Sequence, residues 1–202
     1  MNIAEIQQLS GLISGFLFFA AYARYMLTVI SGKSKPAIIS WVLWCLIEVV
    51  AITSMVNAGV MSLQMIGSVA GSIGVMIVAI MYGEQQNTWS FFDYLCLILV
   101  IIGVVVLYLT PNQLAGLVLT QILGLFASTP TFFSAWKKPE QEDVLSWVMF
   151  FASCVFAIIA IRNTSIENIV QPAIFFIIES TMVYLVCIRP YSKKIGRQFL
   201  YS

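Results

Sequence analysis

The chain has 202 residues, of which 60% are hydrophobic and only 9% are charged, and its formal net charge is +1. About a quarter of the residues of a soluble domain are charged, so this composition excludes a water-soluble globular protein. A net charge near zero, without a basic stripe, excludes a nucleic-acid partner. Histidine does not occur, which excludes imidazole metal sites and histidine-based catalysis, and the sequence predicts no metal ion and no cofactor.

Seven apolar segments follow one another along the chain, and each can cross the hydrocarbon core of a bilayer, which takes about 20 helical residues. We place them near residues 9–31, 37–57, 61–82, 91–110, 113–136, 144–162 and 167–189. The connections between them are short and leave no room for a soluble domain. The sequence therefore predicts an all-α integral membrane protein, a single membrane domain over residues 1–202 with the lipid bilayer as its surroundings.

Two 20-residue stretches of the chain resemble each other. Tyr22–Trp41 reads YARYMLTVISGKSKPAIISW, and Ser128–Trp147 reads STPTFFSAWKKPEQEDVLSW. Each carries two lysines in a turn and ends in Ser-Trp before an apolar helix, and a constant offset of 106 residues superposes them. Internal repetition predicts a repeat architecture. We expect two three-helix repeats, residues 9–82 and 113–189, joined by a linker helix over 91–110 that keeps them parallel (3+1+3).

Lysine and arginine in short loops indicate the orientation, because they are retained on the cytoplasmic side. One side receives eight of them: Lys33, Lys35, Lys137, Lys138, Arg189, Lys193, Lys194 and Arg197. The other side receives Arg162 alone. The sequence thus predicts a multi-pass protein of the inner or plasma membrane with its N-terminus outside and its C-terminus cytoplasmic. The five tryptophans, Trp41, Trp44, Trp89, Trp136 and Trp147, are expected to form an interfacial belt near the cytoplasmic helix ends; the alternative is that one of them has a binding role.

The stretch around Pro130 carries a family resemblance. Pro130-Thr131-Phe132, followed by Trp136-Lys137-Lys138 and Glu142, resembles the Pro-Thr-Phe, basic turn and Glu in the second repeat of SWEET sugar transporters. It is also similar to the Pro-Gln turn of the wider PQ-loop superfamily, and the chain looks like a divergent, bacterial-type relative. The resemblance implies a solute site near mid-membrane, between two three-helix bundles that rock about helix-breaking prolines.

The chain departs from that family pattern at several positions. Arg24 stands in the first repeat where Pro130 stands in the second, and Ser-Trp replaces the proline expected at the start of the second helix of each repeat. The family's sugar-binding asparagines have no counterpart. Around those positions this chain has Ser68 and Ser72 in the third segment and Glu179-Ser180-Thr181 in the seventh.

Three charged residues inside the apolar segments are candidate site residues, because a charge at the bilayer centre costs roughly 2.5–3.5 kcal/mol on insertion scales. Glu48 lies about 16 Å inside the second segment, counted at a helical rise of 1.5 Å per residue, and Glu179 is central in the seventh. Arg24 either snorkels to the interface or pairs with Glu48. We expect Glu48 to be the paired, structural acid and Glu179 to touch a solute or a proton.

Further candidates complete the predicted site. Ser68, Ser72 and Thr181 offer hydroxyls to a solute, although the glycines around the two serines also favour close helix packing. Pro130 and Pro172 interrupt helices and are candidate hinges, since proline removes a backbone hydrogen bond. Gln64 and Gln171 fall at matching repeat positions after one inserted residue, near the outer mouth, and are candidate gate residues.

The sequence favours a facilitator or proton-linked carrier of a small polar solute, with sugars among the candidates, that works by alternating access. The alternative is a non-transporting receptor on the same scaffold, in which Arg24 would bind a carboxylate such as a peptide end. An enzyme is not predicted, because no metal cluster, activated nucleophile or phosphate-binding loop is present in the sequence. The sequence leaves open whether the chain forms a homo-oligomer.

Overall fold

The computed structural model describes residues 1–82, 90–109 and 112–191, apart from the side chains of 107 and 113, and within these ranges it contains helices and turns but no strand. The α-helices are α1 (Ile3–Ile30), α2 (Ile38–Ala58), α3 (Leu63–Tyr82), α4 (Phe91–Leu109), α5 (Gln113–Ala127), α6 (Thr129–Lys137), α7 (Val144–Ile159) and α8 (Ile166–Val183). A short 3₁₀ turn, Pro139–Gln141, precedes α7, and a π-helical turn, Tyr184–Ile188, follows α8.

Five helical stretches are long and apolar enough to cross a membrane, as judged by length and composition: Ile3–Ile30, Ile38–Ala58, Leu63–Tyr82, Leu114–Lys137 and Ile166–Tyr191. Two shorter apolar stretches, Phe91–Val106 and Val144–Ile159, correspond to the fourth and sixth predicted segments. The 16 residues of α7 make a helix of about 24 Å, shorter than the bilayer core of about 30 Å. Some of the sequence predictions fall outside the described residues, namely the belt position of Trp89 and the cytoplasmic placement of Lys193, Lys194 and Arg197.

Helix boundaries differ from the predicted segments at two places. The first helix begins six residues earlier than residue 9, because Asn2 and Glu5 form a reciprocal capping box at its N-terminus. The fifth segment, predicted as one helix over 113–136, is divided into α5 and α6 at Ser128. The division falls two residues before Pro130, which cannot donate a backbone hydrogen bond to the preceding turn.

The helices pack in a pattern that recurs in the two halves of the chain. In the first half, α3 lies between α1 and α2; in the second, α8 lies between α5 and α7. Across the halves, α1 packs along α7 and α2 packs along α5. The linker helix α4 lies outside this arrangement, against α5 and, less extensively, α2.

Polar and apolar residues are distributed as a lipid surrounding requires. Large apolar side chains cover the outer surface, most densely on α4, where Phe91, Ile98, Ile102 and Leu109 are exposed. The interior instead holds glutamates, glutamines, serines and stacked aromatic rings. Because a water-soluble protein seldom exposes an apolar surface of this extent, the distribution supports a membrane protein.

Gly71 permits the closest approach between α1 and α3. A Cβ added at this position would lie 2.1 Å from the Tyr22 ring, far inside van der Waals contact. The aromatic ring can cross α3 here only because the helix carries no side chain at this point. The small-residue stretch of α3 therefore serves helix packing and positions Tyr22.

The two lysine-bearing turns meet at one end of the helix bundle, which we call the basic end. The backbone amide of Lys35 donates to the carbonyl of Gln141 at 2.9 Å. Nearby, Arg189 Nη1 donates to the Trp136 carbonyl at 2.7 Å, and its guanidinium covers the Trp136 ring at 3.6 Å. Asn57 and Asn163, the other residues matched by the repeat offset, line a common cleft at the opposite end.

Candidate functional site: a central cavity between two polar layers

A cavity lies between the two halves of the chain and is lined by all helices except α4 and α6. We call it the central cavity. Its volume is ≈ 40 Å³, which accommodates about three water molecules. Its lining residues are Phe18, Tyr22, Trp41, Trp44, Ile47, Glu48, Ala51, Met65, Ser68, Thr120, Gln121, Gly124, Trp147, Phe150, Phe175, Ile178 and Glu179.

Helical periodicity explains why these residues converge. On α2, Trp41, Trp44, Glu48 and Ala51 are spaced by three or four residues, which places them on one face of the helix. The same spacing joins Phe18 to Tyr22 on α1, Trp147 to Phe150 on α7, and Phe175 to Glu179 on α8. Each helix therefore presents one continuous stripe to the cavity.

Glu48 is held by two serines on the neighbouring helix α3. Its carboxyl oxygens accept hydrogen bonds from the hydroxyls of Ser68 and Ser72, one turn apart. Ser68 also contacts the Tyr22 hydroxyl at 3.4 Å. The predicted alternative that Arg24 pairs with Glu48 is wrong, because serine hydroxyls occupy the carboxyl group and Arg24 lies nearer the basic end.

Glu179 lines the same cavity from α8 but is satisfied less well. Only 7% of its surface is exposed. Among the described residues, its Oε2 atom is buried without a hydrogen-bond partner. A buried polar atom in this state costs about 1–3 kcal/mol, so the position calls for a functional reason.

Seven of the seventeen residues that line the cavity are aromatic. Tyr22 packs edge to face on Phe150, with ring centroids 4.7 Å apart, and Trp41 meets Trp44 in the same way at 4.8 Å. The prediction of an interfacial tryptophan belt is therefore wrong for Trp41, Trp44 and Trp147, which are buried against the cavity; Trp136 is exposed.

A polar layer closes the cavity at the end remote from the basic end; we call it the cleft layer. Gln171 Nε2 donates to Gln64 Oε1 at 3.1 Å, and Gln64 Nε2 donates to Ser153 Oγ at 3.1 Å. Ser153 Oγ in turn donates to the Ser14 carbonyl at 2.8 Å. Beyond this layer an open cleft of ≈ 540 Å³ reaches the surface, with Gln64, Gln171 and Pro172 in its lining.

A second polar layer, the basic-end layer, closes the opposite side of the cavity. Glu142 Oε2 accepts hydrogen bonds from the Tyr25 hydroxyl at 2.7 Å and from Trp147 Nε1 at 3.0 Å. Burial raises the pKa of Glu142 to about 7, against the opposing effect of these two donors. Among the described residues, its Oε1 atom has no partner.

Arg24 and Asp143 lie beside Glu142 and fasten the same layer. Arg24 Nε and Nη2 donate to the two Asp143 carboxylate oxygens at 2.6 and 2.9 Å. Asp143 also caps α7 by accepting from the Ser146 amide at 2.9 Å. Partial burial raises the pKa of Asp143, but the bonds from Arg24 and Ser146 outweigh it, so the pKa lies below its usual value. Arg24 thus bridges α1 to the start of α7.

The candidate hinge prolines lie in different surroundings. Pro130 is in the first turn of α6 and is buried, next to Thr131, whose amide donates to Ser40 Oγ at 3.0 Å. The Phe126 carbonyl, which a proline at 130 leaves without its helical donor, accepts from Thr129 Oγ1 at 2.6 Å. Pro172 lies inside the continuous helix α8.

Thr181 does not join the cavity. Its hydroxyl donates to the Ile177 carbonyl of its own helix at 2.8 Å, and it is not among the lining residues. Ser72 reaches the site only through Glu48. Sequence reasoning missed Glu142, Asp143 and Tyr25 as parts of one layer; the acidic pair before an apolar helix was the available signal.

Comparison with known proteins identifies no relative: no family model matches the chain, and neither the characterised proteins nor the solved structures contain a match to it.

Proposed function

We propose that the chain is an integral membrane transporter that moves a small polar solute by alternating access between two three-helix bundles. One bundle comprises α1, α2 and α3, and the other comprises α5 with α6, α7 and α8. The linker helix α4 and the short helix α7 complete seven spans in this proposal. The basic end faces the cytoplasm, as retention of lysine and arginine on that side favours.

The packing of the helices supports the two bundles. In the repeat, α1 corresponds to α5 and α2 corresponds to α7. An exchange of the two halves therefore turns the contact of α1 with α7 into the contact of α5 with α2, and both contacts are present. Residues that match in the repeat also occupy equivalent positions. Trp41 and Trp147 both line the cavity, and Gln64 and Gln171 are hydrogen-bonded to each other in the cleft layer. Parallel repeats related by an axis along the membrane normal have this property.

The observation that carries the proposal is an interior cavity flanked by two separate polar layers, each formed across the two bundles. The cleft layer joins Gln64 of the first bundle to Gln171 of the second. The basic-end layer joins Tyr25 to Glu142, and Arg24 to Asp143. A rocking motion of one bundle against the other would break one layer while preserving the other.

The bonds in these layers suit repeated opening. A hydrogen bond contributes a net of only about 0.5–1.5 kcal/mol, since water replaces the partner that is lost. The cleft layer consists of neutral amides and hydroxyls that the water of the open cleft can solvate. Such a layer costs little to separate, whereas the packing of α3 on α1 and α2, and of α8 on α5 and α7, keeps each bundle intact.

A receptor remains the second candidate, but its supporting feature is weakened. The arginine expected to bind a ligand carboxylate, Arg24, makes a bidentate ion pair with Asp143. A carboxylate ligand would have to displace that pair. The cavity instead presents two acidic side chains, which disfavour an anionic ligand.

Uptake into proteoliposomes separates the two functions. Purified protein is reconstituted, a mixture of sugars, amino acids and amines is added outside, and the vesicle contents are measured by mass spectrometry. We expect at least one solute to equilibrate faster than in protein-free vesicles. A receptor would bind solute without equilibrating any.

A reversible crosslink links this uptake to the cleft layer. Gln64→Cys and Gln171→Cys are combined in a background without the four native cysteines and joined with a reducible bifunctional thiol reagent. Uptake should stop on crosslinking and return on reduction, while each single-cysteine variant treated identically should keep its uptake. Uptake that continues through the crosslinked protein contradicts the proposal.

A further inference from the structure

The two unsatisfied side chains that line the central cavity have complementary chemistry. Glu179 Oε2 is a buried oxygen without a partner among the described residues, and it suits a cationic N–H donor. Trp41 Nε1 is a buried N–H that, within the same described part of the chain, also lacks a partner. An indole N–H can only donate, so Trp41 requires an acceptor. The two other unsatisfied atoms, in Thr131 and Glu142, belong to residues outside the cavity lining.

Among the described residues, no cation satisfies Glu179. Among the described residues, the cavity lining contains no lysine and no arginine. It contains both Glu48 and Glu179, and each has only 7% of its surface exposed. Burying an ionised carboxylate without a counter-charge is costly, so a positively charged solute is the complement of this interior.

The rest of the wall suits the same solute. The rings of Phe18, Tyr22, Trp41, Trp44, Trp147, Phe150 and Phe175 line the cavity. The faces of aromatic rings attract ammonium groups by about 0.5–2 kcal/mol, and more strongly where water is excluded. A neutral polyol gains nothing from this charge term.

We propose that the central cavity binds a small protonated amine that also carries an oxygen acceptor, with the ammonium at Glu179 and the oxygen at Trp41 Nε1. An amino alcohol is the simplest solute of this class. The inference rests on the proposed function, whose solute it specifies. Glu48 already accepts hydrogen bonds from Ser68 and Ser72. Its charge therefore contributes to the electrostatic field in the cavity, while Glu179 makes the direct contact with the ammonium.

Size and charge disfavour other solute classes in this conformation. A cavity of ≈ 40 Å³ holds about three water molecules, which matches a solute of a few heavy atoms better than a hexose. A carboxylate on the solute would lie near Glu48 or Glu179 and be repelled. Anions and zwitterions should therefore bind less tightly than amino alcohols.

Four probes of similar size test the two contacts separately. Ethanolamine carries both the ammonium and the oxygen, propylamine lacks the oxygen, ethylene glycol lacks the ammonium, and glycolate carries a negative charge. Binding is measured by calorimetry on the full chain in lipid nanodiscs, where no translocation is required. Ethanolamine should bind about tenfold more tightly than propylamine, as expected for one hydrogen bond. Ethylene glycol and glycolate should bind more weakly still.

Two cavity variants and one control assign the contacts. Glu179→Gln keeps the shape and should weaken both amines by tenfold or more, as expected for loss of a charged partner. Trp41→Phe keeps an aromatic wall and should reduce the ethanolamine preference over propylamine to about one, without weakening propylamine. Glu140→Gln, an exposed acid in the turn before α7, should bind all probes as the parent does.

The outcomes distinguish this inference from the proposed function. Equal binding of ethanolamine and ethylene glycol, tighter binding of glycolate, or no binding of ethanolamine overturns the amine assignment, even if uptake of another solute shows a transporter. Ethanolamine binding with the predicted variant effects, but without uptake of any solute, supports the amine site and rejects transport. If Glu179→Gln does not fold, the probe ranking and Trp41→Phe still decide.

Discussion

Glu48 and Glu179 line one cavity from helices α2 and α8, yet only Glu48 is enclosed by hydroxyl donors, from Ser68 and Ser72. Glu179 has a buried oxygen without a partner in the described part of the chain. The two acids therefore differ in what their removal does. Loss of Glu48 removes a connection between α2 and α3, whereas loss of the charge on Glu179 would remove the proposed partner of the solute ammonium.

We predict that Glu48→Ala lowers the free energy of unfolding by about 1–3 kcal/mol, because it takes away the acceptor of two buried hydroxyls. Glu179→Gln should leave that free energy unchanged or raise it, since no protein partner is lost. Thermal unfolding of both variants in one lipid mixture measures the difference. Equal destabilisation by both would contradict the distinct roles assigned to them.

Stability should depend on pH through Glu142. Its folded pKa of about 7 exceeds the usual glutamate value of about 4.3, so the folded state binds the proton more tightly than the unfolded state. Stability should accordingly fall as the pH rises from about 4.3 to 7, by about 3 kcal/mol at most. The charged and titratable groups facing it are Asp143, Arg24 and Tyr25.

Glu142→Gln tests this pH effect. The unfolding temperature of the variant should decline less steeply across that range than that of the parent. Asp143 contributes with the opposite sign and in another window: its lowered pKa adds stability that is lost only when the medium becomes more acidic than its usual pKa of about 3.9. A parent and a variant with the same slope between about pH 4.3 and 7 would rule out Glu142 as the source.

Gly71→Ala should destabilise the protein by about 1–3 kcal/mol through overpacking. The new methyl would meet the Tyr22 ring at 2.1 Å, at atoms close to the ring attachment that cannot swing aside. Gly124→Ala is the matched control, because nothing lies within 4 Å of a Cβ added there, and alanine favours a helix. Unfolding temperatures of the pair give the comparison, and equal values would refute the close approach.

Pro130→Ala should slow transport while leaving the fold intact. Alanine restores the backbone donor that proline lacks, so α5 and α6 should become one stiffer helix. The contact from the Thr131 amide to Ser40 lies beside this break and couples it to α2. Initial uptake rates of the variant and of Pro172→Ala, which changes the continuous helix α8, show whether the effect is specific. Unchanged rates for Pro130→Ala would remove the hinge.

Much of the architecture is predictable because hydropathy and turn residues act locally. Short basic or Gly- and Asn-containing turns separate the apolar runs, and the observed helices follow those runs to within a few residues except at the N-terminus and Ser128. After one inserted residue the repeat also matches Gln64 to Gln171, and the structure joins them by a hydrogen bond. These features need no knowledge of which helix faces which.

The partners of charged and aromatic groups are not predictable in the same way. Arg24 reaches Asp143, 119 positions later in the chain, through the packing of α1 on α7. In helices that are apolar on every side, periodicity hardly distinguishes a lipid-facing stripe from an inward one. For that reason the sequence favours interfacial anchors at Trp41 and Trp147, which the structure places in the cavity wall. Only the tertiary contacts decide between these readings.

The most direct test of alternating access asks whether the central cavity opens to both sides of the membrane. Thr120 lines that cavity, and Thr120→Cys in a background without the four native cysteines provides one reactive thiol. A membrane-impermeant thiol reagent is added to oriented proteoliposomes from either side in separate experiments, with ethanolamine present or absent. We predict labelling from both sides, slowed from both by a solute that occupies the cavity. Labelling from one side only would contradict transport and leave a binding protein.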